Sequence, residues 1–144
     1  MANHLELTSH GSLVRVEFKL GGVSVVLLST YWPVDSRSST GDRSGSLWVK
    51  MAVEDPIRLL KGCILAAVCE AVATDSRVIL SGDFNSDFSS NKADTFKLAE
   101  FLSELPVTNS SRVPEAATFL YRRNGEIKGS CIDHVFTGGS NIES

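Results

Sequence analysis

The sequence contains no apolar run approaching the roughly 20 residues that a bilayer-spanning helix needs. Its first residues, Met1-Ala2-Asn3-His4-Leu5-Glu6, lack the basic-then-apolar pattern of a secretory leader. Cysteine is sparse. Cys63, Cys69 and Cys131 cannot all pair, and none sits in a Cys-x-x-Cys, which excludes a disulfide scaffold and a paired-cysteine metal knuckle. Reduced, structural thiols in an intracellular protein are expected. A net charge of −3 excludes a global positive field, so a nucleic-acid substrate would need a bound cation or a local basic patch. With 42% hydrophobic and 22% charged residues the chain is not disordered, and 144 residues suffice for one domain with one core. There is no internal repeat.

Proline is also scarce, and three of the four punctuate the chain. Before Pro33, Val14-Arg15-Val16-Glu17-Phe18-Lys19-Leu20 alternates apolar and charged residues, as a half-buried strand does. Gly21-Gly22 suits a tight hairpin turn, and Val23 to Leu28 is a more apolar, more central strand. It runs into Ser29-Thr30-Tyr31-Trp32-Pro33 and ends there, because proline cannot donate to a ladder. Residues 35 to 46 read as a polar surface loop carrying Arg37 and Arg43. Asp55-Pro56 reads as a helix cap and first turn, with an earlier turn over Leu47 to Val53. Ile57, Leu60, Ile64, Ala67, Val68 and Ala71 then recur at the spacing of one buried helical face. Cys63 and Cys69 are expected to pack. A second helix is expected over Ala93 to Leu105, capped by Asn91, faced by Leu98, Phe101, Leu102 and Leu105, and closed by Pro106. Asn109 to Glu115 reads as loop. Ala117 to Tyr121 and Cys131 to Phe136 read as strands, with the turn at Arg122-Arg123-Asn124-Gly125.

The chemistry concentrates at Val78-Ile79-Leu80-Ser81-Gly82-Asp83-Phe84-Asn85. A buried strand ends in a glycine and then presents a carboxylate and a carboxamide two residues apart, positions that share a strand face. Asp83 can accept a proton or hold a metal, and Asn85 can donate and accept. The plainer reading is an Asx turn, since such side chains bond their own backbone. Tyr31 reads as a rim aromatic or as a phenol aimed at a phosphate oxygen. Asp133 reads as an outward polar residue or as an orienting carboxylate at a strand end. Arg122, Arg123 and Lys128 could touch backbone phosphates or simply be solvated. A Rossmann-like nucleotide binder is disfavoured, because Gly21-Gly22 joins two strands and no Gly-x-Gly-x-x-Gly opens a helix.

Ser29-Thr30-Tyr31-Trp32-Pro33, Ser81-Gly82-Asp83-Phe84-Asn85 and Ser130-Cys131-Ile132-Asp133-His134, in that order, resemble the endonuclease/exonuclease/phosphatase (DNase I-like) superfamily over residues 12 to 137. The resemblance implies an α/β fold, a four-layer α/β/β/α sandwich, here incomplete. It implies metal-dependent hydrolysis of a phosphate ester, with Mg²⁺ or Mn²⁺ as cofactor. Nucleic acid is the implied partner, DNA before RNA, in an endonuclease of retrotransposon type; phosphoinositides and other phosphate esters are the wider class. By resemblance Tyr31 bonds the scissile phosphate, Asp83 orients or deprotonates the water and touches the metal, Asn85 positions both, and Asp133 holds a histidine. Arg122 and Arg123 are the substrate-binding candidates, and Thr118 is given a local structural role. The family's opening Asn and metal-binding Glu are not found here, nor is its closing Ser-Asp-His; Ser29 and Cys131 replace commoner residues. His134 follows Asp133 directly and so points to the opposite face. His4 and His10 have no motif around them. A truncated domain is therefore expected. The competing reading is an inactive remnant or binding module that keeps the fold.

Overall fold

The structure, a computed structural model, describes residues 2–7, 12–32, 56–110 and 117–139. The expected loop of residues 35 to 46 with Arg37 and Arg43, the Asp55 cap, the earlier helical turn over residues 47 to 53, and His10 lie outside these residues. The elements, in order, are β1 (Ala2–Leu7), β2 (Leu13–Leu20), β3 (Val23–Tyr31), α1 (Pro56–Ala73), β4 (Arg77–Asp83), α2 (Ala93–Glu104), β5 (Val107–Asn109), β6 (Phe119–Arg123), β7 (Glu126–Ser130) and β8 (Asp133–Gly138). Six strands form one mixed sheet in the order β1-β2-β3-β4-β8-β5, and β6-β7 form a ribbon of their own.

The β2–β3 hairpin turns at Gly21 and Gly22, whose φ of 56° and 82° place both in the left-handed region. β3 and β4 are parallel, so a crossover must join them; α1 lies between them in sequence and packs against β4 and β2. Strand alternation gives the sheet two faces. Leu13, Val26, Leu28, Val78, Leu80 and Phe136 share one face, and they join Leu60, Ile64, Val68, Leu98, Phe101 and Leu102 of the helices in a single core. The helical faces expected from the 3.6-residue spacing are the faces that are buried. On β2 it is the charged set that points to the helix side, where Arg15 pairs with Glu17 and with Glu70 of α1. The opposite sheet face carries Val14, Val16, Leu27 and Ile79, and both described helices are on the other side.

Several local expectations need correction. β1 lies outside the 12–137 range and extends the sheet beyond β2. β5 is a three-residue strand where loop was expected at Asn109; its pairing with β8 decides it. Lys92, not Asn91, is the N-cap of α2, and it makes no side-chain cap. Cys63 packs against the core, but Cys69 is exposed. The hairpin turn is Asn124-Gly125 alone, with φ of 52° and 80°, so Arg122 and Arg123 stand on β6 rather than in the turn.

Candidate active site

Strand register brings three of the expected residues into one row. Parallel pairing sets Tyr31 beside Asp83, and antiparallel pairing sets Asp83 beside Asp133. All three lie on the sheet face away from the helices, at the C-terminal ends of β3 and β4 and the N-terminal end of β8. Tyr31 is 51% exposed, so its phenol is open to a ligand. Gly82 makes the row possible. Its φ is 152°, and a Cβ there would lie 1.8 Å from the Thr30 carbonyl oxygen. The close approach is therefore that of the neighbouring strand.

Beyond Asp83 the chain leaves the strand. Asn85 has φ 49°, so it does not continue the pleat, and the same-face expectation for Asp83 and Asn85 fails. The Asn85 amide donates to Asp83 Oδ1 (2.8 Å), which is the Asx turn. Asn85 Nδ2 donates to the Trp32 carbonyl (2.6 Å), tying the end of β4 to the end of β3. The Trp32 amide donates to the Asp83 carbonyl (2.7 Å), and the Phe84 amide to the Ile132 carbonyl (2.8 Å). Phe84 is fully buried against Trp32 and Phe136 and anchors this turn. Asn85 thus has its amide nitrogen engaged, leaving Oδ1 as the atom to offer a ligand. Asp83 Oδ2 has no hydrogen-bond partner among the described residues.

Two residues outside the row hold its third member. Thr118 Oγ1 accepts from the amides of Ile132 (3.0 Å) and Asp133 (3.1 Å), a local structural part as expected. Asp87, which the sequence did not single out, accepts from the Cys131 amide (3.0 Å) and from the Ser89 amide and hydroxyl. The Ser89 hydroxyl, the amides of Cys131 and Ser89, and the nearby His134 hold the Asp87 carboxyl below its ordinary range, against its partial desolvation. Asp87-x-Ser89 was a legible turn signal; its reach to Cys131, 44 residues on, was not. Burial, with the charges of Asp87 and Asp133, pushes the Cys131 thiol up, away from the thiolate form. His134 is buried on the helix side, its Nε2 2.9 Å from the Ser86 carbonyl oxygen. It does not join the row.

No family model and no curated protein sequence matches the chain. Solved structures do. The endonuclease domain of TRAS1, a telomere-specific non-LTR retrotransposon, superposes with a TM-score of 0.59 at 19% identity, covering 94% of this chain and 55% of that one. Truncated TDP2 of Caenorhabditis elegans gives 0.55 at 17%, covering 96% and 52%. TDP2 of D. rerio, complexed with a single-strand DNA product, gives 0.57 at 13%, covering 99% and 55%. The chain has a DNase I-like α/β fold. It spans about half the length of these solved structures.

A DNase I-like fold implies a divalent cation, and the donor set tests that. Among the described residues no three His, Cys, Asp or Glu side chains come together to hold a metal. Asp83 and Asp133 alone offer two carboxylates, fewer ligands than a hard cation takes. The described residues do not complete such a site, and no chemical step here is routed through one. Arg122 and Arg123 stand apart from the row, on β6, and alternation places them on opposite faces of the ribbon.

Proposed function

We propose that this chain carries part of the catalytic machinery of a nuclease that hydrolyses phosphodiester bonds in nucleic acid, DNA foremost. The observation that supports it is the single row Tyr31, Asp83, Asp133 on an open sheet end in a DNase I-like fold. In this reading the Tyr31 hydroxyl donates to a non-bridging phosphate oxygen. Asp83 Oδ2 accepts a proton from the attacking water, and Asn85 Oδ1 accepts from the same water and orients it. Asp133 stands beside Asp83 in the strand register and completes the row. TRAS1 is described as an endonuclease and the D. rerio protein as bound to a single-strand DNA product, which supports nucleic acid over other phosphate esters. Dependence on Mg²⁺ or Mn²⁺ belongs to the proposal, with Asp83 as one ligand and the others from outside the described residues. So does an intracellular location, which rests on cysteines without a paired motif.

One observation favours the second reading, a binding module without activity: among the described residues no three metal-ligating side chains come together. The deciding assay is nicking of supercoiled plasmid by the purified chain in Mg²⁺, beside Asp83→Ala. The proposal expects nicking that is lost in the variant and in chelator. Equal nicking by both proteins, or none by either, would overturn it; the second outcome together with DNA binding leaves the binding module.

A further inference from the structure

The β6–β7 ribbon is the most anomalous surface of the molecule. It forms no part of the main sheet, and every residue from Phe119 to Gly129 is exposed. Yet it carries two aromatic rings, Phe119 (50% exposed) and Tyr121 (36%). Register and alternation place Phe119, Tyr121 and Arg123 on one face, across from Ser130, Lys128 and Glu126. Lys128 stands directly opposite Tyr121. The two rings are near-parallel, with centroids 6.0 Å apart and planes 22° from each other. They therefore lie stacked on one face of the ribbon. Neither ring belongs to the buried core, so packing against the body of the protein does not account for them.

The charge on the ribbon differs from that of the chain. Arg122, Arg123 and Lys128 stand against Glu126 alone, a net +2 within a chain of net −3. Two exposed rings with cations beside them have the composition that takes unpaired bases on the rings and phosphates on the cations. A duplex offers its base faces only at its ends, so the rings favour a single strand. The ribbon is also fixed to the row. The Thr118 amide donates to the Ser130 carbonyl (3.0 Å) at its root, and Thr118 Oγ1 holds the amides of Ile132 and Asp133. Ser130 lies three residues before Asp133, at most about 10 Å of chain.

We infer that the Phe119–Tyr121 face of the ribbon is a stacking site for unpaired nucleobases, with Lys128 and Arg123 on the adjoining phosphates. The substrate is then nucleic acid with a single-stranded stretch beside the bond at Asp83. The inference rests on the nucleic-acid reading above and deepens it.

The test is fluorescence anisotropy with a labelled oligothymidylate and, separately, a blunt duplex of equal length. It uses the full chain in chelator and at one fixed salt concentration. The variants are Phe119→Leu/Tyr121→Leu, which keeps apolar bulk without π faces, and the ring-retaining Phe119→Tyr/Tyr121→Phe. Both sites lie outside the core, and circular dichroism confirms that each variant folds as the parent does. The leucine pair should weaken single-strand binding at least about tenfold while duplex binding falls less than about threefold. The ring-retaining pair should restore the single-strand affinity. Equal oligothymidylate binding by parent and leucine pair overturns the inference, as does no binding by the parent. A leucine pair that binds as the parent but loses self-association in sedimentation reassigns the face to a protein contact and overturns it too. Binding needs no turnover. Absent nicking with the stacking result intact overturns the hydrolase alone.

Discussion

Asp83 uses one carboxylate oxygen to hold its own turn and leaves the other without a described partner. The turn reading of Gly-Asp-Phe-Asn and the proposed functional reading therefore call on different atoms and do not compete. Asn85 divides in the same way between Nδ2 and Oδ1. This division could not be read from the sequence, because it depends on the left-handed backbone of Asn85 and on Trp32 lying alongside. Asp87 gives a prediction at this scale. Its folded carboxyl is held below the ordinary value, chiefly by the Ser89 hydroxyl and then by two backbone amides. Its contribution to stability is thus fully present above the unfolded carboxylate value, near 3.9, and is lost as pH falls through the lower folded value. Asp87→Asn should lower the urea midpoint at neutral pH, and the gap from the parent should close in acid. A gap that does not change with pH would show that the charge of Asp87 is not what holds Cys131.

Elements with strong local periodicity were legible. The buried faces of α1 and α2, the Gly21-Gly22 turn and the alternation of β2 all follow from spacing alone. The strands the sequence did not reveal are those defined by a partner. β5 is three residues long and exists through β8, and β1 exists through β2. The direction of β2 was also hidden: its charged residues face the helices because Glu70 is there to meet Arg15. The ribbon supplies a prediction at this scale. Thr118 Oγ1 is the acceptor for two consecutive amides at the start of β8. Thr118→Val keeps the shape and removes that acceptor. Hydrogen exchange at Ile132 and Asp133 should accelerate about tenfold, the equivalent of one lost hydrogen bond, while the β3 and β4 amides stay unchanged. Unchanged exchange at Ile132 and Asp133 would mean that the ribbon root is held elsewhere.

At the scale of the whole molecule, three motifs far apart in sequence become neighbours because β3, β4 and β8 are adjacent in the sheet order. Their order along the chain was legible; that their register aligns Tyr31, Asp83 and Asp133 in one row was not. The placement of Arg122 and Arg123 was misread for the opposite reason, since the Asn124-Gly125 turn is tighter than the four polar residues around it suggest. The central claim is that the row acts as a unit. It is tested most directly by plasmid nicking in Mg²⁺ with Tyr31→Phe, Asp83→Asn and Asp133→Asn, singly and in pairs. The account predicts that each single variant loses about a hundredfold or more, and that the pairs are scarcely worse than their weaker member, as groups acting on one step behave. Losses that multiply across the pairs, or parental nicking by Tyr31→Phe and Asp133→Asn, would contradict it.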